Sequence, residues 1–386
     1  MLSIREEHQL EIDAGGDTWA VIFTANDEYL VGGTTKGVQV WRVEDGIRVA
    51  TMKVKGAVEC IAASQDGRWI AAGSATGHLF VWDAETHNQL FADCTRSSST
   101  IFGVDFSPDS TRLISAAGHS TAPIWDIVSR RKVRILEHDD GPVIAAKYSP
   151  QGDRIATATE ESIRVWNSDD GRLLLDVAVQ AVKGLRNIPW SNNHIFVRTK
   201  RNTIKQINAA TGSTISELSV PGAQWPCIFL LQHGRFIACS GEKAITIWDV
   251  VTHVQIGLIP HTDNISSFAF SSVDSLLAIA PLGSKRVTVK ELFQSVSVRC
   301  MLCLRPIFAT SQSLQELELG IDTGALNKWK RGRLADAEVL LSVEIPRSEN
   351  RHHALASRAL VRARLGQWDA ALADATEVHV AFPVDT

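Results

Sequence analysis

The segment "HLFVWDAETHNQL", residues His78 to Leu90, decides the fold of this chain. It contains a strand-like run, the pair Trp82–Asp83, a polar turn and a second strand-like run. In the first run Leu79 and Val81 alternate with their neighbours, which is the spacing that places side chains on one face of a strand. If the same pattern recurs at a fixed spacing, the chain is built from repeats.

The pattern recurs along the chain in seven aligned segments. They read "GVQVWRVEDGI", "GHLFVWDAETH", "STAPIWDIVSR", "ESIRVWNSDDG", "NTIKQINAATG", "KAITIWDVVTH" and "KRVTVKELFQS". Their anchor positions are Trp41, Trp82, Trp125, Trp166, Ile207, Trp248 and Lys290. The gaps between anchors are 41, 43, 41, 41, 41 and 42 residues. A period near 41 residues with a Trp–Asp pair predicts the blades of a propeller.

Two further strand-like runs lie between neighbouring anchors. One example is "GVDFS" followed by "RLISAAG", separated by "SPDS" (Ser107 to Ser110), where Pro and Asp suit a tight hairpin. Each repeat is therefore predicted to form four short strands, a sheet too small to be stable alone. Seven such sheets packed face to face around an axis would bury both faces of each sheet.

These segments resemble the WD40-repeat family of seven-bladed β-propellers over residues 2 to 296. The resemblance implies a mainly β fold with four-stranded antiparallel blades, in a domain that we place at residues 1–296. It also implies that the first segment of the chain supplies the outer strand of the last blade. "EEHQLEI" (Glu6 to Ile12) lies at that place, and we expect it to pair with "RVTVKEL" (Arg286 to Leu292).

The chain departs from this family in its polar residues. The family usually has a buried Asp six residues before the Trp, hydrogen-bonded to a His, a Ser or Thr, and the Trp. The equivalent positions contain no Asp, and are Thr35, Thr76, His119, Glu160, Arg201, Glu242 and Ser284. His138 and His261 match the family's His, but without that Asp we expect their polar network to be incomplete. Pro123, inside an expected third strand, removes a donor from the sheet.

The hydrophobic period changes after about Val298. Residues 297–323 are interpreted as a connector, and residues 324–386 show helical spacing. Three pairs of positions are offset by 34 residues, namely Gly332/Gly366, Leu334/Trp368 and Ala337/Ala371. A 34-residue period of paired helices is typical of tetratricopeptide (TPR) repeats. The tail resembles two such repeats, and since solenoids usually need three, the array is interpreted as incomplete.

Composition excludes several classes of protein and favours an intracellular one. The 39 basic and 43 acidic residues leave a net charge of −4, which gives no global reason to expect nucleic acid or a membrane surface as a partner. The start lacks the apolar region of a secretory signal, and no run approaches the roughly 18 apolar residues of a membrane span. Six scattered cysteines predict reduced thiols. We expect a cytoplasmic rather than a nuclear protein.

The motifs of catalysis and of metal binding are missing from the sequence. "GGTTKG" (Gly32 to Gly37) has the glycines of a phosphate-binding loop but no following helix, and a hairpin turn accounts for it. "CMLC" (Cys300 to Cys303) has zinc-ligand spacing without a second pair of Cys or His nearby. No nucleophile motif or paired carboxylates are visible. We therefore predict a protein that is not an enzyme, with no cofactor and no metal.

Together these patterns predict a protein–protein interaction scaffold that uses propeller loops and a TPR-like helical groove. Partners are expected to be proteins or peptides in a larger complex, with no specific nucleic acid and no membrane span. The propeller contacts are predicted at the start of each innermost strand, at Trp19, Glu59, Phe102, Ile144 and Arg186. The groove contacts are predicted at His353, Arg358 and Arg364.

Two alternatives stay open at this point. One is a propeller that binds lipid or nucleic-acid surfaces through the basic runs "RRKVR" (Arg130 to Arg134), "RTKR" (Arg198 to Arg201) and "KWKRGR" (Lys328 to Arg333). Edge strands often carry such cations simply to discourage aggregation. The other alternative is an enzyme that uses the central funnel of the propeller.

Overall fold

A computed structural model describes residues 9–94, 99–182, 184–185, 187–223, 226–231, 234–272, 276–291 and Arg358. The chain divides into two units, Met1–Glu291 and Leu292–Thr386, and every described strand belongs to the first. In the second unit only Arg358 is described, in helical conformation. The predicted connector and the other residues of the predicted TPR-like repeats lie outside the described residues.

The first unit consists of seven four-stranded antiparallel sheets, the blades of a propeller. In each blade, the first strand named below is the innermost and the fourth is the outermost. Blades 1 to 4 contain β2 (Thr18–Phe23), β3 (Tyr29–Thr34), β4 (Gly37–Arg42), β5 (Arg48–Met52); β6 (Val58–Ala63), β7 (Trp69–Ser74), β8 (His78–Asp83), β9 (Gln89–Cys94); β10 (Ile101–Phe106), β11 (Arg112–Ala117), β12 (Thr121–Asp126), β13 (Arg131–Glu137); and β14 (Ala145–Tyr148), β15 (Arg154–Ala158), β16 (Ser162–Asn167), β17 (Leu173–Ala178). Blades 5 to 7 contain β18 (Trp190–Ser191), β19 (His194–Arg198), β20 (Thr203–Asn208), β21 (Thr214–Ser219); β22 (Ile228–Leu231), β23 (Phe236–Ser240), β24 (Ala244–Asp249), β25 (Gln255–Pro260); and β26 (Ile265–Phe270), β27 (Leu276–Pro281), β28 (Arg286–Glu291), β1 (Gln9–Asp13).

The core lies between neighbouring blades, because the alternating apolar side chains of the third strand in each blade pack against the next sheet. In β4, for example, Val38 and Val40 are buried together with Met52, Val58 and Ile61 of blades 1 and 2. Burying one such side chain contributes about 1.5–3 kcal/mol. Since both faces of every sheet are used in this way, no blade has a core of its own.

The ring closes through the first strand of the chain. β1 is antiparallel to β28, with Leu10 opposite Val289 and Ile12 opposite Val287, so the predicted pairing of the N-terminal segment is confirmed over residues 9–13. Ile12 is only 2% exposed. The ladder is extended at the surface by an ion pair of 2.8 Å between Arg286 Nη1 and Glu11 Oε2. One blade therefore contains strands from both ends of the propeller sequence.

The turn that leads into the outer strand has a left-handed residue in six blades, five positions after the anchor. Its φ lies between 57° and 73° at Gly46, His87, Arg130, Gly171, Gly212 and His253. Glycine adopts this conformation without the steric cost that other residues meet. At Gly171 space matters as well, because a Cβ there would lie 2.3 Å from Cδ of Arg134 in the preceding blade.

Replacing Arg130 by glycine is expected to raise the free energy of unfolding by about 0.5–1 kcal/mol. Glycine has no Cβ, so it adopts the left-handed backbone conformation at this position without steric strain, and the exposed Arg130 side chain contributes no packing that would be lost. Chemical denaturation measures the effect. The matched control is Gly171→Ala at the equivalent position of blade 4, which should destabilise because of both its φ and its contact with Arg134. A loss of stability in Arg130→Gly would contradict this explanation of the turn.

Side chains of the innermost strands link neighbouring blades around the central axis. Asp105 Oδ2 accepts a 2.8 Å hydrogen bond from the backbone N–H of Tyr148, and Ser267 Oγ accepts one of 3.3 Å from Val21. In blade 5 the innermost strand has only two residues, Trp190 and Ser191. There Asn187, which precedes this strand, bonds both backbone groups of Ile228 in blade 6. These bonds satisfy backbone groups at the inner edge of the sheets.

Pro123 interrupts its blade as the sequence predicted. The β11–β12 ladder begins at Arg112 and Asp126 and ends at Ile114 and Ile124, one residue before the proline. On the other side of β12, Pro123 is paired with Ile135 of the outer strand. The fold therefore tolerates the missing donor because the neighbouring ladder simply stops there.

Candidate functional site

The upper face of the propeller is the end at which the innermost strands begin. It is formed by the turns between the second and third strands of each blade and by the connections from one blade to the next. In blades 1 and 2 the turn is held to the start of the innermost strand by a backbone hydrogen bond, from Thr35 N to Asp17 O at 3.0 Å and from Ala75 N to Ala57 O at 2.8 Å. The loops of this face are thus fixed to the sheets below them.

Three of the predicted contact residues occupy the same structural position in consecutive blades. Trp19, Glu59 and Phe102 are each the extra residue of a β-bulge between the first and second strands of blades 1, 2 and 3. All three side chains are partly exposed. A bulge turns a side chain out of the regular alternation of the strand, and bulges are frequent next to binding sites. The structure therefore places these residues on the inner rim of the upper face.

The other predicted contact residues differ in position or lie outside the described residues. Ile144 is 8% exposed and packs in a core cluster of blades 4 and 5, because blade 4 has no bulge at this position. Arg186, His353 and Arg364 lie outside the described residues. Arg358 is partly buried. In blade 7 the bulge residue is Ser266, whose Oγ lies 2.7 Å from Thr18 O and 2.8 Å from Ala280 O, so its single proton is shared between the two carbonyl oxygens.

A buried polar network lies under the upper face in blade 4. Thr157 Oγ1 is 2.8 Å from His138 Nε2 and accepts a 2.7 Å hydrogen bond from Trp166 Nε1. Burial lowers the pKa of His138, with a further lowering by the Arg164 guanidinium, so the ring is neutral. This arrangement corrects our expectation that the partners of His138 would be missing.

Asp140 takes the place of the expected turn aspartate. Its Oδ1 is 3.4 Å from His138 Nδ1, while its Oδ2 accepts hydrogen bonds of 2.8 Å from Thr159 Oγ1 and 2.5 Å from Ser162 Oγ. Burial alone would raise the pKa of Asp140, but the hydrogen bonds from Ser162 and Thr159 lower it below its ordinary value. The carboxylate thus reaches the network from the connection between blades 3 and 4 rather than from the turn.

The anchor tryptophans differ in whether their indole N–H has a partner. The position that carries Thr157 in blade 4 is Gly32 in blade 1, where a Cβ would lie 2.5 Å from the ring of Trp41. No hydroxyl fits there, and Trp41 Nε1 has no hydrogen-bond partner although it is buried. In blade 3 the equivalent Ser115 Oγ accepts from Trp125 Nε1 at 3.2 Å. The network is therefore a property of particular blades.

A cluster of charges covers the network at the surface. Arg164, whose side chain is 10% exposed, bonds Asp176 Oδ2 through its Nε at 2.9 Å and Asp139 through Nη2. Nearby, Lys200 Nζ of blade 5 lies 3.4 Å from a Glu160 oxygen. Hydrogen bonding by Arg164 lowers the pKa of Asp139. The charges of blade 4 on this face are largely neutralised by each other.

Groups of three or more His, Cys, Asp or Glu side chains that could hold a metal ion are not found in the described part of the chain. Cys60, Cys227 and Cys239 are buried thiols. Among the same residues, no helix combines the length and apolar character needed to cross a membrane.

Comparison with protein families gives a match to the WD domain, G-beta repeat, over residues 46–83, 89–126 and 130–167. These three segments are WD40 repeats. Each runs from the outer strand of one blade through the first three strands of the next, as in residues 46–83, which contain β5 to β8. The WD40 repeats are thus offset from the blades, as the closing strand β1 requires.

Several known proteins are similar to this chain. The mouse (Mus musculus) Echinoderm microtubule-associated protein-like 1 is 24% identical over 320 residues, covering 65% of this chain and 39% of that protein. WD repeat-containing protein 18 of Danio rerio is 22% identical over 287 residues, covering 66% of this chain and 65% of that protein. The chain spans about two fifths of the length of the first of these relatives.

Two solved structures share the fold. The structure of U3-55K matches with a TM-score of 0.64 at 15% identity, over 75% of this chain and 100% of that chain. The crystal structure of RRP9 WD40 repeats matches with a TM-score of 0.63 at the same identity, again over 75% and 100%. At this identity the likeness supports the propeller fold alone, so function has to be argued from this chain's own residues.

Proposed function

We propose that this chain is a non-enzymatic scaffold that binds partner proteins through the upper face of its propeller. The observation that carries the proposal is the row of bulges that presents Trp19, Glu59 and Phe102 on the inner rim of three consecutive blades. Large aromatic side chains contribute most to binding energy at protein interfaces. The rigid ring below them fixes their spacing before a partner arrives, which lowers the entropic cost of binding.

A second binding element is proposed in the C-terminal residues 324–386. The 34-residue period of the sequence favours TPR-like helices, with His353, Arg358 and Arg364 lining a groove for an acidic peptide. We also propose that the chain acts inside the cell, in the cytoplasm, as part of a larger complex. The reduced state of Cys60, Cys227 and Cys239 agrees with a reducing compartment.

The alternative of a nucleic-acid or lipid surface based on the basic runs has less support. In the run Arg198–Arg201, Arg198 is 0% exposed and donates to the carbonyl oxygens of Ser240 and Pro221. In the run Arg130–Arg134, Arg134 donates to carbonyl oxygens of the next blade and Lys132 is 3.3 Å from Asp93. These cations hold blades together, which leaves few of them for phosphate groups.

The test compares affinity capture by the full chain with capture by the double variant Trp19→Ala, Phe102→Ala. We expect the proteins retained by the wild type to be lost from the variant, since truncation of aromatic contacts at an interface commonly costs about 2 kcal/mol or more. The melting temperature should fall by only a few degrees, because both side chains are partly exposed and only Phe102 packs against a core cluster, that of blades 4 and 5.

A matched control is Val128→Ala, at the opposite end of blade 3, where the side chain is 84% exposed. This variant should retain the same proteins as the wild type. Capture that survives in the Trp19, Phe102 double variant would count against the upper face. Repeating the experiment with residues 1–298 separates the propeller from the proposed helical groove.

A further inference from the structure

Cations are concentrated in one sector of the upper face, around blade 1. The basic sector, as we call it, consists of exposed side chains from blade 1 and from the adjoining turn of blade 7, namely Lys36, Arg48, Lys53, Lys55 and Lys285. They come from four separate segments of the sequence. Only the closed ring brings Lys285 near the others, since it precedes β28, while Lys36 precedes β4, Arg48 begins β5, and Lys53 and Lys55 follow β5.

Two of these cations converge on the connection between β1 and β2. A Cβ at Gly15, whose φ is +64°, would lie 3.9 Å from both Lys36 Nζ and Arg48 Nη1. The backbone N–H of the neighbouring Ala14 donates to Lys285 O at 2.7 Å, which brings the turn of blade 7 to the same place. Two cationic side chains and the backbone of a third cationic residue therefore meet at the seam of the ring.

Lys53 and Lys55 lie on the connection from blade 1 to blade 2, on the same face. Val54, between them, packs with its Cγ2 3.4 Å from the position of a Cβ at Gly37, next to Lys36. The carbonyl oxygen of Lys55 accepts a 2.7 Å hydrogen bond from Thr76 Oγ1. The backbone that carries both lysines is thus fixed between two blades.

The cations of the basic sector have no ion-pair partner among the described residues, in contrast to those of blade 4. Lys200, on the same face, lies 3.4 Å from Glu160 and 3.1 Å from Glu161. In the basic sector, Arg48 Nη1 donates to the neutral side chain of Gln39 at 3.3 Å, and the Asp13 carboxylate accepts from the Gly15 N–H. Lys36 Nζ and Arg48 Nη1, which both lie near Gly15, repel one another, and an anionic partner would relieve that repulsion.

We propose that the basic sector binds an acidic segment of a partner protein, a proposal that rests on the proposed function of the upper face. Trp19 is the second residue of β2, the innermost strand of the same blade, and its partly exposed ring would supply an aromatic contact to the same partner. Acidic residues lie among these segments, since Asp13 accepts from the Gly15 N–H, Asp17 O accepts from the Thr35 N–H, and Glu59 is the bulge residue of blade 2. Their carboxylates would repel a continuous phosphate backbone. A peptide with separated acidic residues avoids them, which favours protein over nucleic acid.

The experiment measures binding of a fluorescent peptide, in which Asp and Glu alternate with Leu and Ser, to the full chain. We expect binding that weakens as salt is added, and a loss of affinity of about tenfold in the double variant Lys53→Glu, Lys55→Glu. The matched control is Lys200→Glu, Arg201→Glu in blade 5 of the same face, which should change the affinity less than about twofold. Melting temperatures check that both variants fold.

Three outcomes would overturn the proposal. The first is that the peptide does not bind, and the second is that the two double variants bind it equally well. The third is that single-stranded poly(U) RNA binds more tightly than the peptide and loses affinity for the variant Lys53→Glu, Lys55→Glu. The proposed function of the upper face is tested separately. It would be contradicted if the double variant Trp19→Ala, Phe102→Ala left partner capture unchanged. A third combination is partner capture that depends on Trp19 and Phe102, together with peptide binding that does not change in the lysine variant. That result would support the scaffold function and contradict binding of an acidic segment by the basic sector.

Discussion

Deletion of residues 1–13 is expected to abolish cooperative unfolding of the propeller or to lower its midpoint sharply. The deletion removes β1, the outer strand of blade 7, and with it the ladder to β28. It also removes Ile12, which packs in one cluster with Trp41 and Val289. Loss of a buried Ile alone costs about 2–5 kcal/mol, which is a large part of the 5–15 kcal/mol that stabilises a typical domain.

The matched control is a deletion of residues 1–8, which leaves β1 complete. This shorter deletion should leave the unfolding midpoint close to that of the wild type. A point variant, Ile12→Asp, should reproduce the effect of the longer deletion, because a charge would be buried beside Trp41 without a partner. Thermal and chemical denaturation followed by circular dichroism measure all three. Equal midpoints for both deletions would mean that the ring does not depend on its closing strand.

The variant Thr157→Val is expected to lower the free energy of unfolding by about 2–4 kcal/mol. Valine has nearly the shape of threonine, so packing is kept while the hydroxyl is lost. Trp166 Nε1 and His138 Nε2 then lose their common partner in a buried site, and each unsatisfied group costs about 1–3 kcal/mol. Chemical denaturation gives the value.

A matched control for Thr157 lies at the equivalent position of the neighbouring blade. Ser115 accepts one hydrogen bond, of 3.2 Å, from Trp125 Nε1. Its replacement by alanine should cost about 1 kcal/mol, because a single bond is removed. If Thr157→Val costs no more than Ser115→Ala, the blade 4 network adds nothing beyond an ordinary hydrogen bond.

The sequence predicted the parts of the fold that repeat. The 41-residue spacing of the anchors and the alternation before them predicted seven blades, and the resemblance to WD40 propellers implied that Glu6–Ile12 would supply the closing strand. These features are visible because a strand with two buried faces needs apolar side chains at fixed positions. The same reasoning identified Pro123 as an irregularity of its ladder.

Features that depend on contacts between distant segments were not visible in the sequence. The blade 4 network was missed because its carboxylate, Asp140, comes from a connection rather than from the turn. Ile144 was predicted as a surface contact from its place in the repeat, but a bulge decides whether that place faces the rim, and blade 4 lacks one. The basic sector is assembled from four segments, and none of the basic runs in the sequence predicts it.

Because Gln9 is paired with Lys290, the ends of the ring-forming sequence lie side by side on one blade. The position of this seam depends on where the ring-forming sequence starts and stops, and not on how the seven blades are arranged. Joining the two ends and cutting the chain elsewhere, for example between the exposed Glu85 and Thr86 of blade 2, would leave every strand with its present neighbours. In such a circular permutant β9 would become the first strand of the chain, and the ring would be closed in blade 2 instead of blade 7.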